Sequence, residues 1–178
     1  MSKLLNDTRH KITGRHELAA EVQRRQQAGE HGVFTNGCFD LLHLGHVRYL
    51  QEARALGDFL IVGLNNDAGV RSLKGAGRPL VPEMERAEIL AALTCIDYVT
   101  IFAEPTAGTL VELLGPAIYV KGADYANAQG SEPDTSRLPE AKVVQAYGGM
   151  VRLIPYLPHH STTELIAAIK RLPGRSSS

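Results

Sequence analysis

The stretch Phe34-Thr35-Asn36-Gly37-Cys38-Phe39-Asp40-Leu41-Leu42-His43-Leu44-Gly45-His46 decides the fold of this chain. It continues an apolar run that predicts a buried strand, turns at Gly37, and leads into residues 47–56, whose apolar spacing predicts an amphipathic helix. At such a turn the first N–H groups of the helix are unpaired, and the helix dipole favours an anion. His43 and His46 fall just before and within the first helical turn. The stretch therefore predicts a phosphate site that contains two imidazoles.

Strands and helices alternate along the rest of the chain. The run Phe59-Leu60-Ile61-Val62-Gly63-Leu64 is apolar throughout, as expected for a parallel strand covered on both faces. We predict strands at residues 33–36, 59–64, 97–102, 117–120 and 151–154, and helices at 15–28, 44–56, 83–93, 109–114, 138–147 and 161–171. This alternation predicts an α/β fold, a doubly wound parallel sheet in a single domain. We expect an N-terminal extension with a helix at 1–30, the domain at 31–172, and a flexible tail at 173–178.

The composition narrows the class of protein. Of 178 residues, 44% are hydrophobic and 21% are charged, as in a soluble globular domain. Lys and Arg number 19, as do Asp and Glu, and this zero net charge argues against general nucleic-acid binding. Cys38 and Cys95 are too few for a disulfide framework. Since we find neither the apolar core of a signal peptide nor a run that could span a membrane, we expect a cytoplasmic protein with no membrane partner.

The histidine pair alone allows other interpretations. Two histidines three residues apart are often simply solvated or part of a core. A zinc site that uses Cys38, His43 and His46 is a further alternative, because thiolate and imidazole suit zinc. Against it, no fourth ligand stands nearby in the sequence and no Cys-x-x-Cys spacing accompanies the three.

Two motifs carry a resemblance to a known family. His43-Leu44-Gly45-His46, preceded by Gly37-Cys38-Phe39-Asp40, resembles the His-x-Gly-His signature of the cytidylyltransferase-like nucleotidyltransferases. Far downstream, Ser161-Thr162-Thr163-Glu164-Leu165-Ile166 is similar to the second signature of that family, in which a helix start grips phosphate. The resemblance runs from about Val33 to Ile169. It implies a Rossmann-like nucleotidyltransferase fold, and transfer of a nucleotidyl group to a phosphate with loss of pyrophosphate.

Further segments resemble one branch of that family, the adenylyltransferase half of ADP-heptose synthases. They are Thr35-Asn36-Gly37-Cys38, Leu73-Lys74-Gly75 with Arg78-Pro79, Arg86-Ala87, and Lys121-Gly122-Ala123-Asp124-Tyr125. This likeness implies AMP transfer from ATP to D-glycero-β-D-manno-heptose 1-phosphate in lipopolysaccharide core synthesis. It also implies a homodimer and Mg²⁺ that the substrate phosphates mainly carry, with no certain metal ligand from the protein.

The resemblance also assigns roles to residues. Nucleotidyl transfer needs positioning and electrostatic stabilisation rather than a protein nucleophile. We expect the catalytic groups to be His43, His46, Lys121 at the end of a strand, and Lys74 in a flexible basic loop at 73–79. The expected nucleotide-binding residues are Thr35, Asn36, Gly37, Cys38, Phe39, Asp40, Gly45, Arg86, Gly122, Asp124, Ser161, Thr162 and Thr163.

Several of these assignments have plainer alternatives. Asp40 could cap a turn, Lys74 could be a solvated surface lysine, and Arg86 could be surface charge paired with Glu83 or Glu85. The Ser161 segment also forms a Ser-x-x-Glu capping box, which is a structural feature in its own right.

The sequence departs from the family pattern in three places. Residues 1–30 are too few for the sugar kinase domain that precedes many relatives, so we expect a separate heptose kinase. The polar stretch 126–137 looks long, and His159-His160 has no expected role. The alternative enzyme is a cytidylyltransferase that acts on glycerol 3-phosphate or another alcohol phosphate, although Leu157-Pro158-His159-His160 lacks the expected Arg-Thr-x-Gly-like lead. The non-enzymatic alternatives are a nucleotide-binding regulatory module and, less favoured, a structural protein.

Overall fold

A computed structural model describes residues 7–125, 134, 137–155, 157 and 160–172. Its centre is a five-stranded, all-parallel sheet with strand order β3-β2-β1-β4-β5. The strands are β1 (Gly32–Gly37), β2 (Phe59–Asn65), β3 (Tyr98–Phe102), β4 (Ile118–Gly122) and β5 (Met150–Ile154). The strand order reverses at β1, which lies between β2 and β4. The predicted doubly wound sheet is confirmed, and all five predicted strands are present.

Helices cover both faces of the sheet. They are α1 (Arg15–Gln27), α2 (Leu44–Arg54), α3 (Asp67–Lys74), α4 (Glu83–Ala91), α5 (Gly108–Leu114), α6 (Pro139–Ala146) and α7 (Thr162–Lys170). Single 3₁₀ turns lie at Arg9–Lys11 and Ala123–Tyr125. Among the described residues, none of the helices has the length and apolar character needed to cross a bilayer.

The core has two layers, one on each face of the sheet. Helices α2 and α4 cover one face, where Val33 of β1 and Val120 of β4 are fully buried. Helices α1, α5 and α6 cover the other face, where Phe34 and Tyr119 are fully buried. Neighbouring residues of β1 and β4 thus enter different layers, as the alternation of a strand requires. The interior strand β2 is buried along its whole length, as its continuous apolar run predicts.

One expected loop position differs in the structure. Lys74 is the last residue of α3 and not part of a flexible loop, because the Asn66 side chain caps this helix and the helix continues until Gly75, where φ is +98°. Lys121 lies at the end of a strand, as expected, and β4 extends two residues beyond the predicted strand 117–120, to Gly122. Most of the 126–137 stretch and the 173–178 tail lie outside the described residues.

Candidate active site

The turn after β1 lies at the carboxyl edge of the sheet, where the strand order reverses. Ligands of doubly wound sheets bind in the crevice at such a point. Phe39 has a left-handed backbone, with φ of +43°, which is uncommon for a residue with a side chain. The carboxylate of Asp40, next in the chain, accepts hydrogen bonds from the N–H groups of Leu80 and Val81, and its other oxygen lies 2.6 Å from Nε of Arg78. Asp40 therefore fixes the 75–81 loop against the turn.

The two signature histidines lie together at the start of α2. His43 is the N-cap residue and His46 lies in the first turn, as predicted, and their ring centroids are 3.9 Å apart. The Phe39 ring lies 5.4 Å from that of His46. Nδ1 of each histidine is buried with no hydrogen-bond partner among the described residues. Since buried polar atoms are nearly always paired, this arrangement favours a ligand-binding role for the imidazoles.

Burial determines the charge of these imidazoles. It lowers the pKa of His46 to about 4, and the neighbouring His43 contributes to the shift. Burial also lowers the pKa of His43, with a further contribution from His160. Both rings are therefore neutral at pH 7, and each can donate one N–H to a phosphate oxygen.

Gly45 allows this histidine pair to pack against the second signature. A Cβ at Gly45 would lie 2.9 Å from the carbonyl oxygen of His160 and 3.0 Å from the His43 ring. Such contacts are too short for any side chain. The close approach of His160 and the His43 ring to this position therefore requires the glycine of the His-x-Gly-His motif.

Lys121 lies on β4, next to the turn. Its Nζ donates to the carbonyl oxygen of Asn36 at 2.9 Å and lies 5.3 Å from the centre of the Tyr125 ring. The hydroxyl of Tyr119 donates to the Asn36 side chain at 2.8 Å. Burial lowers the pKa of Lys121 to about 8. The amine remains a cation at neutral pH, close to the first signature.

Arg86 is only 1% exposed, and its contacts all run to protein oxygens. It donates to the carbonyls of Val81, Cys38 and Asn65, and pairs with Asp67 at 2.7 Å. The alternative of surface charge paired with Glu83 or Glu85 is therefore wrong. Glu83 instead accepts the N–H of Asp67. Arg86 connects the ends of β1 and β2 to the starts of α3 and α4, and direct phosphate binding by it stays a prediction.

Three cations act on the thiol of Cys38 in the turn. Burial raises its pKa, while the positive charges of Lys74, Arg86 and Lys121 act in the opposite direction. The structure thus brings these three predicted residues within electrostatic range of one point. Lys74 is exposed, as its surface alternative requires.

The second signature begins α7 at the same edge of the sheet. Oγ of Ser161 accepts the N–H of Glu164 at 3.1 Å and donates to its carboxylate at 2.9 Å, which confirms the helix cap. Thr162 and Thr163 are the first helical residues. A cavity of about 500 Å³ lies here, lined by His43, His160, Ser161, Glu164, Leu165, Ala167, Ala168 and Arg171. Our sequence analysis gave no role to His160 or Arg171, although His160 directly precedes the motif.

Other predicted nucleotide-binding residues are more peripheral. The hydroxyl of Thr35 is buried and bonded to Tyr49, so it does not face a crevice. Gly122 is buried at the end of β4, and Asp124 is exposed in the following turn, where its carbonyl accepts a hydrogen bond from Arg137. We did not identify Tyr49, Tyr119 or Arg137 from the sequence, because their roles depend on contacts between distant segments.

The described residues contain no group of three or more His, Cys, Asp or Glu side chains that could hold a metal. The alternative zinc site of Cys38, His43 and His46 is therefore not formed. The carboxylate of Asp40 already forms an ion pair with Arg78 and accepts hydrogen bonds from two N–H groups.

The residues at the carboxyl edge of the sheet indicate the class of protein. Neutral imidazoles, a buried amine and a capped helix start are donors for phosphate oxygens, which is how a nucleotidyltransferase acts. The comparisons agree, since the family model described as cytidylyltransferase-like matches residues 34–168, and the chain belongs to that family. Enzymes of this family generally use a divalent metal ion with their nucleotide.

Several named proteins are similar to the chain. It is 51% identical to bifunctional protein HldE of Geotalea uraniireducens, over 92% of this chain and 32% of the relative. For HldE of Syntrophotalea carbinolica the values are 54%, 84% and 28%. The chain thus spans about a third of the length of the curated relatives it matches.

Solved structures share the fold. The lipopolysaccharide core biosynthesis protein from Thermoplasma volcanium is 27% identical, with a TM-score of 0.58 over 74% of this chain and all of that chain. Pantoate-beta-alanine ligase from Francisella tularensis, 14% identical with a TM-score of 0.55, covers 89% of this chain with 76% of its own and shows the fold alone.

Proposed function

We propose that the chain transfers AMP from ATP to D-glycero-β-D-manno-heptose 1-phosphate, which gives ADP-heptose and pyrophosphate. One observation carries the proposal. His43 of the first signature and Ser161 of the second line the same cavity, although they are far apart in the sequence. The choice of adenine and heptose is supported by the identity of about half of the residues to proteins named HldE.

The site residues match what this transfer requires. An oxygen of the sugar phosphate attacks the α-phosphorus of ATP, the bond to the bridging oxygen breaks, and pyrophosphate leaves with that oxygen. The equatorial oxygens gain charge as this happens, so fixed donors stabilise the transition state. We assign this role to His43, His46 and Lys121, with the start of α7 holding phosphate. Mg²⁺, bound by the substrate phosphates, would neutralise part of their charge.

The proposed function also concerns the source of the sugar phosphate, the cellular compartment and the oligomeric state. A sugar kinase activity must supply the heptose 1-phosphate. Both cysteines are free thiols, which fits a reducing cytoplasm. We propose a homodimer, by analogy with the family, and light scattering at micromolar concentration tests it, because a purely monomeric species would contradict it.

The test is pyrophosphate release by the purified protein with Mg²⁺. ATP and CTP are each combined with both anomers of heptose 1-phosphate and with glycerol 3-phosphate. Release with ATP and the β anomer alone is expected. Release with CTP and glycerol 3-phosphate would replace the substrate assignment and keep the site, while nucleotide binding without any release would favour the regulatory module.

A pair of variants connects the activity to the site. His46→Ala should lower turnover by about 10²-fold or more, since it removes a transition-state donor. The matched control is His31→Ala, because His31 is exposed and precedes β1 at the opposite edge of the sheet. A folded His46→Ala protein with normal turnover would refute the assignment.

A further inference from the structure

We propose that Tyr49 is a positioning residue for this transfer, whose hydroxyl links α2 to β1 and β4 and so fixes the site of Lys121 relative to that of His46. The proposal rests on the function proposed above. Tyr49 follows His46 by three residues on α2, so the two side chains leave neighbouring points of one helix face.

Two hydrogen bonds to the sheet involve the hydroxyl of Tyr49. It donates to the carbonyl oxygen of Val120 at 3.0 Å, and it lies 2.7 Å from Oγ1 of Thr35. Because the hydroxyl has one proton, which it gives to Val120, Thr35 must be the donor in the second bond. One oxygen atom on α2 therefore joins two adjacent strands of the sheet.

On each of the two strands, the residue that Tyr49 contacts directly precedes a residue of the Lys121–Asn36 hydrogen bond. Thr35 and Val120 are partners in the β1–β4 ladder. The next residues, Asn36 and Lys121, are the pair joined by the bond from Nζ of Lys121 to the carbonyl of Asn36. A change in the spacing of the strands at Thr35 and Val120 would move the Lys121 amine.

His46 and Lys121 approach the edge from different sides. Helix α2 packs on the face where Val120 is buried, and the Lys121 side chain leaves β4 from the opposite face, with Tyr119. Apolar packing alone would hold α2 on the sheet with less directional precision than a hydrogen bond. A misplacement of about 1 Å can lower a rate by about 10²-fold, so this link has a kinetic consequence.

The first test compares two variants that each lose one hydroxyl. Tyr49→Phe keeps the ring but leaves Thr35 and Val120 without this partner. Tyr147→Phe is the control, because that hydroxyl also donates to a backbone carbonyl, of Pro116, at 3.0 Å, at the opposite edge of the sheet. Tyr49→Phe should lower kcat about 10-fold or more with little change in KM for ATP, whereas Tyr147→Phe should keep kcat. An unchanged kcat in Tyr49→Phe, or an equal loss in both variants, would overturn the proposal.

A second measurement needs no substrate and so stands apart from the proposed function. NMR titration of the Lys121 side chain reports its surroundings, which include Glu140 of α6, Asp124 and the Cys38 thiol. The pKa of Lys121 should differ between wild type and Tyr49→Phe and agree between wild type and Tyr147→Phe. Identical titration in all three proteins would overturn the positioning role even if wild type shows the expected turnover. Altered titration without any turnover would instead refute the function.

Discussion

Lys121 is an amine whose buried surroundings disfavour its positive charge. We expect the reaction rate to depend on whether this amine is protonated. Burial lowers its pKa to about 8, although the nearby carboxylates of Glu140 and Asp124 act in the other direction. Below that pH the group is a cation, as its proposed role in stabilising phosphate requires, and above it the charge is lost.

We therefore predict that kcat/KM, which reports the free enzyme, falls as the pH rises through about 8. Lys121→Arg should remove this basic limb, because arginine stays protonated. Steady-state kinetics between pH 6.5 and 9.5 measures both. The same limb in Lys121→Arg would show that another group causes it.

The sequence allowed some residues of the site to be placed correctly and others not. His43 and His46 could be placed because their position depends only on a local strand-to-helix turn. Arg86 was named through the resemblance, but its buried contacts could not be predicted and Tyr49 was missed, since the partners of both come from segments far along the chain. Burial of a guanidinium among carbonyls has no local sequence signal.

At the scale of elements, Arg86 holds the helix α4 to the ends of the two central strands. We predict that Arg86→Met lowers the free energy of unfolding by about 3–5 kcal/mol, because it leaves Asp67 and several carbonyls unpaired. Urea unfolding measures this. The control is Arg24→Met, since Arg24 is exposed and forms a surface pair with Glu21, and such pairs contribute little to stability. Equal stability of the two variants would contradict the role of Arg86.

The segment before α1 is also attached to the domain. Nζ of Lys11 donates to the carbonyls of Leu93 and Ile96 after α4, and Ile12 pairs with Val99 at the edge of the sheet. We predict that Lys11→Met lowers the free energy of unfolding by about 1–2 kcal/mol and leaves turnover unchanged. Lys142→Met, on the exposed side of α6, should change neither quantity. Urea unfolding and pyrophosphate release together test this, and a stable Lys11→Met would show that the contacts contribute nothing.

For the whole molecule, the alternation of strands and helices predicted the layers but not the order of the strands. Each apolar run is compatible with several neighbours, so the reversal at β1 is known only from the structure. The carboxyl edge could nevertheless be predicted as the site, because ligands of open parallel sheets bind beyond the carboxyl ends of the strands. The position of Lys74 on α3 was missed, since a Leu-Lys-Gly sequence fits a helix end as well as a loop.

The stability of the whole protein should depend on pH through His46. Its pKa is about 4 when folded and 6.5 in an ordinary setting, so between these values the unfolded chain binds a proton that the folded protein does not. Stability is therefore full above pH 6.5 and falls as the pH decreases toward 4. The loss that His46 itself contributes between pH 7.5 and 5 should be at most about 2 kcal/mol.

The ion pairs of Glu21 and Glu104 do not cause a loss of stability in this pH range. Hydrogen bonds from Arg24 and Arg15 lower the pKa values of Glu21 and Glu104 to about 2, from 4.5, so their contribution is lost only below about pH 4.5. We predict that urea unfolding without nucleotide gives a smaller decrease for His46→Gln than for wild type between pH 7.5 and 5. His31→Gln, at an exposed site, should behave as wild type. If His46→Gln loses as much stability as wild type, the acid sensitivity arises elsewhere, and the buried neutral state of His46 is not its cause.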